Sequence, residues 1–155
     1  MLLLGHMGIT ALASFMAYLP ILGAIAGVLL PDIIDKGFFT LGLFPCGRYA
    51  AHSIFFSPIA GVVTYIVTRN KKLALAISLG AFLHLLEDMH GEVPFLFPFK
   101  DYELFSNCEF KLSFTPYIIS MEVIGSVILI SLVTFKSKLL YARKILWAWL
   151  QRILG

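Results

Sequence analysis

Four runs of apolar side chains, at about 7–30, 50–68, 73–88 and 114–135, constrain this chain more than any other feature. A helix that crosses a bilayer needs ~20 mostly apolar residues. Val, Ile, Leu and Phe dominate all four runs without strict alternation of polar residues, which favours helices over barrel strands. Composition agrees. Of 155 residues, 59% are hydrophobic and 14% charged, where a soluble domain carries roughly 45–50% and about 25%. The expected fold class is therefore an all-α integral membrane protein, a compact bundle of about four transmembrane helices over 1–135. The net charge of +3 is small and not gathered into a reading surface, which argues against a nucleic-acid partner.

Residues 136–155 differ. Lys136, Lys138, Arg143, Lys144 and Arg152 alternate there with Leu139, Leu140, Ile145, Leu146, Trp147 and Trp149. That mixture predicts a basic amphipathic helix in the headgroup region of the lipid bilayer; the plainer alternative is a cytoplasmic helix docked on a partner. Arg69, Lys71 and Lys72 lie two crossings before this tail, so both basic segments fall on one side, expected to be the cytoplasm. Segments 31–49 and 89–113 then face outward. No charged residue precedes His6, so a cleaved signal peptide is not expected. Pro20 interrupts the first run and leaves two readings. One is a single kinked span. The other is a re-entrant pair of short helices, about 8–19 and 21–30.

Ionisable groups are costly beside spanning segments and usually functional. Here they gather at the expected outward ends of three helices. Asp32 and Asp35 follow the first run, Arg48 and His52 begin the second, and His84, Glu87 and Asp88 end the third. Arg48 and His52 are four apart, as are His84 and Asp88, a spacing that shares one helix face. Imidazole and carboxylate together suit zinc, and also manganese or iron. Each group also has a structural reading: Asp32 as a helix cap, Arg48 as a snorkelling anchor, Glu87 as a solvated neighbour. His90, just past the helix end, reads as solvated. Glu122, in mid-run, needs a partner; Arg48, a metal and a proton-carrying role are the options.

At these motifs the chain resembles the YdjM-like family of membrane-bound, metal-dependent hydrolases, whose motif order is similar to that of zinc-dependent phospholipase C. The resemblance covers about residues 5–98. It runs through Gly5-His6, Leu29-Leu30-Pro31-Asp32, Arg48-Tyr49-Ala50-Ala51-His52-Ser53 and Gly80-Ala81-Phe82-Leu83-His84-Leu85-Leu86-Glu87-Asp88. It implies a metal site of His6, Asp32, His52, His84 and Asp88, with Arg48 close by, and so favours the re-entrant first segment. Two departures stand out. Ile34 occupies the place of a second aspartate, unless Asp35 substitutes for it, and Gly47 occupies the place of a histidine.

The resulting expectation is a membrane hydrolase. Water activated by zinc or manganese would attack a phosphoester of a lipid or lipid-linked substrate at the outer face. Asp35 or Glu87 would act as general base and Arg48 would hold the phosphate. The alternative is a non-catalytic membrane scaffold with a degenerate metal site. A metal or proton conduit ranks last, since the inner halves of the runs are apolar. The aromatic stretch with Phe95, Phe97, Phe99, Tyr102, Phe105 and Phe110 reads as a lid or as an ordinary interfacial loop. Ser106-Asn107 within it suggests a small hairpin. Cys46 and Cys108 fall on the outward face, where a disulfide would form if that face is oxidising.

Overall fold

Pro20 decides the first apolar run. In the computed structural model of the protein, which describes residues 3–89, 92–105, 108 and 115–154, the run is two helices, not one kinked span. α1 covers Leu3–Met16 and α2 covers Ile21–Thr40. Tyr18 between them takes a left-handed φ of 58°, and Ser14 Oγ donates to Leu19 O across the reversal at 3.2 Å. Proline at the start of α2 needs no N–H donor, so the turn forms without loss. α2 then runs through Pro31 to Thr40, ten residues beyond the expected end. The proline costs about 3 kcal/mol in a helix interior, and packing of α2 along α4 outweighs it. Asp32 and Asp35 consequently lie inside a helix and not after one.

The second run also changes. Residues 50–52 form a single 3-10 turn, and α3 begins only at Phe56, running Phe56–Thr68. Arg69 closes it in a left-handed conformation, and the Asn70 side chain caps α4, Lys71–Glu87, by accepting from Leu73 N. Thr115 caps α5, Pro116–Thr134, which continues after Phe135 into α6, Lys136–Leu154. His90, the hairpin expected at Ser106-Asn107, and Phe110 lie outside the described residues.

Among the described residues α5 alone is both long and apolar enough to cross a membrane, at 19 residues. α1 and α3 are apolar but shorter, at 14 and 13 residues, and α2 and α6 carry more charge. The molecule is nonetheless apolar outside and polar within. Leu22, Val67 and Val133 are more than three-quarters exposed, whereas Thr10, Ser14, Asp35, His52 and His84 are buried. Small residues let the helices close around those groups. A Cβ on Gly80 would stand 2.1 Å from Ala24 O, and one on Gly27 2.3 Å from Ile77 O, so α2 and α4 cross backbone to backbone. Gly8 and Gly125 make a second such crossing between α1 and α5.

α1 carries no acidic or basic residue that could answer its own dipole; the two C-terminal helices supply both charges. Glu122 on α5 accepts from Leu4 N at 2.9 Å and Gly5 N at 3.0 Å, at the positive end. Arg143 on α6 donates to Phe15 O at 2.6 Å, at the negative end, with its guanidinium over the Phe15 and Tyr18 rings. Both Glu122 carboxylate oxygens thus hold the start of α1, one and two residues before His6.

Candidate metal centre

Because α2 and α4 touch at Gly27 and Gly80, the next turn of each helix brings Asp32 and His84 within reach of one another. His52 arrives from the 3-10 turn between α2 and α3. The three atoms that meet are Asp32 Oδ1, His52 Nε2 and His84 Nε2. The nitrogens are 3.2 Å apart, and the oxygen is 3.5 Å from His52 and 3.7 Å from His84. A tetrahedral zinc shell with ligands at ~2.0–2.1 Å has edges of ~3.3 Å, so the triangle is close to one face of such a shell. Asp32 Oδ1 is buried with no hydrogen-bond partner among the described residues. A divalent cation would satisfy that oxygen, and three protein ligands leave a fourth position open.

Asp35 sits behind His52. It is fully buried, and His52 Nδ1 lies 2.7 Å from its Oδ2. Tyr49 N, Ala51 N and His52 N also donate to this carboxylate, at 2.6, 2.9 and 3.1 Å. Residues 49–52 thus wind around Asp35, which is why they do not start α3. The carboxylate fixes the ring with Nδ1–H inward and directs Nε2 at Asp32 and His84. Burial alone would lower the His52 pKa, but Asp32 and Asp35 together raise it above the usual imidazole value.

A second group adjoins the first. His6 Nε2 lies 3.5 Å from Asp88 Oδ1, and Asp88 Oδ2 lies 4.0 Å from His84 Nε2. Glu87 Oε2 bonds His6 Nδ1 as Asp35 does His52. The His6 and His84 rings stack with centroids 4.5 Å apart. These spacings are wider, and one imidazole nitrogen has one lone pair, so His84 Nε2 completes only one group. The first triangle fits a single ion better. Burial pushes the Asp88 carboxyl pKa up, yet His6 and the Arg48 guanidinium, 2.8 Å away, hold it well below the usual carboxylate range.

All eight residues singled out in the sequence, His6, Asp32, Asp35, Arg48, His52, His84, Glu87 and Asp88, converge here. Two expectations about how they do so need correction. Arg48 and His52 do not share a helix face: Arg48 turns to Asp88 and His52 to His84. The carboxylates of α2 come from its interior because Pro31 does not end the helix. Sequence reading missed Lys36, whose Nζ lies 2.6 Å from Asp32 Oδ2. Its spacing of four from Asp32 was the available signal, hidden once α2 was ended at Leu30.

The aromatic stretch packs inward on the site. Phe97 and Phe105 lie 4.5 and 4.9 Å from the Tyr49 ring, and Phe95 O accepts from Ile54 N. Cys46 and Cys108 form a disulfide next to the same loop. Phe99, in contrast, is 81% exposed and free to meet lipid.

An Asp35→Asn substitution is expected to weaken any divalent-metal binding about 10–100-fold, because the amide cannot accept from all the donors around it and His52 loses its fixed tautomer. Competition with a chromophoric chelator measures this; unchanged affinity would remove Asp35 from the centre.

A family model described as YdjM inner membrane protein matches residues 1–154. No curated protein and no solved structure matches the chain.

Proposed function

The chain belongs to the YdjM inner membrane protein family, and from that premise we propose that it is a membrane-embedded, metal-dependent hydrolase of a phosphoester on a lipid or lipid-linked substrate. The observation that carries the reading is the triangle of Asp32 Oδ1, His52 Nε2 and His84 Nε2, with Asp35 locking one corner. A zinc ion held there would supply a water with its pKa lowered toward ~7 and a Lewis acid for a phosphoryl oxygen; manganese also suits the ligands. Asp32, His52 and His84 hold the ion. Asp35 orients His52. Glu87 orients His6, which with Asp88 forms the adjoining group. Between Asp35 and Glu87 as the expected general base, Glu87 is the better placed, since Asp35 already accepts four hydrogen bonds. Arg48 faces the substrate phosphate.

Helix lengths support an outward site. α4 carries Lys71 and Lys72 at one end and the centre at the other, about 25 Å away. Arg143 and Trp147 on α6 meet Tyr18 at the same far end. Lys71, Lys72 and Arg143 therefore lie opposite the centre, on the side expected to be cytoplasmic. The disulfide lies at the centre's end, which suits an oxidising compartment. With its basic and aromatic residues, α6 rests on the inner headgroups.

Metal content and hydrolysis of the detergent-purified protein test the proposal together. About one equivalent of zinc or manganese, with release of phosphate or headgroup from phospholipid or lipid-linked phosphate, is the expected result. No bound metal after incubation with either ion would sink the hydrolase and leave a membrane scaffold.

A further inference from the structure

Two cations flank the centre. Lys36 Nζ is 2.6 Å from Asp32 Oδ2, and Arg48 Nη2 is 2.8 Å from Asp88 Oδ2. Their partners belong to the two ligand groups, and each cation is more exposed than its partner. The Lys36 side chain is 40% exposed against 26% for Asp32, and that of Arg48 34% against 4% for Asp88. Each cation spans from the buried centre to its surroundings. They also share one wall. A Cβ on Gly47 would meet Lys36 Cγ at 3.5 Å, so the lysine stem lies against the backbone just before Arg48.

We propose that Lys36 and Arg48 together form an oxyanion-binding pair at the mouth of the centre, selecting a phosphate group over a neutral ester or amide. The inference rests on the hydrolase reading and narrows its substrate. Charge balance supports it. Asp32, Asp35, Glu87 and Asp88 are offset by Lys36, Arg48 and a divalent ion, so the loaded centre does not repel an anion. An Asp32 carboxylate shared with such an ion binds the ammonium less firmly, and the lysine hydrogens turn to an incoming phosphate. Arg48 uses one edge of its guanidinium on Asp88, and the planar fork has further donors for a second oxyanion.

The test is calorimetric titration of inorganic phosphate into zinc-loaded, detergent-purified protein, with zinc determined on the same samples. Lys36→Gln is expected to weaken phosphate binding about 10–100-fold, the worth of one charge-assisted hydrogen bond, while keeping its zinc. Lys36→Arg should restore binding, and Lys138→Gln on α6 should match the wild type. Equal phosphate affinity in Lys36→Gln would overturn the pair, as would a wild type that binds zinc but no phosphate. Loss of zinc together with phosphate in Lys36→Gln would also overturn it, since the lysine would then only support Asp32. A wild type that binds phosphate without any zinc, and loses it in Lys36→Gln, would keep the pair and reject the hydrolase.

Discussion

On the proposed function, His84→Ala protein is expected to lose essentially all divalent metal binding, and phosphoester hydrolysis with it. His84 is the residue common to both ligand groups, and its Nε2 lies 3.2 Å from His52 and 3.7 Å from Asp32. Without it two ligands remain, too few for the three-ligand site that leaves one position open. Loss of a residue that merely orients a ligand costs about 10–100-fold in affinity or activity, so loss of the ligand itself should exceed that. Alanine is a good helix former, and α4 should persist. Helical circular dichroism close to wild type would separate metal loss from unfolding. Metal content equal to wild type in a folded His84→Ala protein would refute the centre as described.

Gly80→Val should act through the fold and reach the same site. The first added carbon would lie 2.1 Å from Ala24 O and 2.7 Å from Val28 N. Both are backbone atoms of α2, which cannot swing aside as a side-chain tip does, so α2 and α4 must separate. Overpacking of this kind costs about 1–3 kcal/mol and sometimes more, and rigid backbone on both sides places Gly80 at the upper end. His84 lies one turn beyond Gly80, so separation also opens the triangle to Asp32. Gly37→Ala, also on α2, is the matched control. Nothing lies within 4 Å of its Cβ position, and relief of glycine's backbone entropy should stabilise the helix by about 0.5–1 kcal/mol. Thermal unfolding in detergent should show the two variants moving in opposite directions. A Gly80→Val protein as stable as wild type would mean that the helices do not cross at backbone contact.

The sequence by itself determined the helical, lipid-facing character of the chain, since unbroken apolar runs leave few other ways to satisfy a backbone. It also singled out the ionisable side chains that the fold brings together. Ionisable side chains are so sparse among apolar ones that each of His6, Asp32, Asp35, Arg48, His52, His84, Glu87 and Asp88 stands out in the sequence alone. Glu122 stands out equally, but its partner is backbone, the first N–H groups of α1, and backbone donors carry no signature in a sequence. The apolar runs placed the starts of α4 and α5 within two residues of those that Asn70 and Thr115 cap, and Pro20 marked the break in the first run without deciding between its two readings. Helix boundaries were not legible where long-range contacts overrode the local signal. Pro31 reads as a stop, yet packing on α4 carries α2 past it. Residues 50–52 read as the start of a helix, yet Asp35 draws their N–H groups into a turn. Only the tertiary structure decided which side chains orient and which can ligate. Asp35 and Asp32 are three residues apart on the same helix and differ in role because one faces the Tyr49–His52 backbone and the other faces His84. That distinction comes from the way α2, α4 and the intervening turn meet, and the meeting is permitted by glycines whose importance lies in the partner they touch, not in their own spacing.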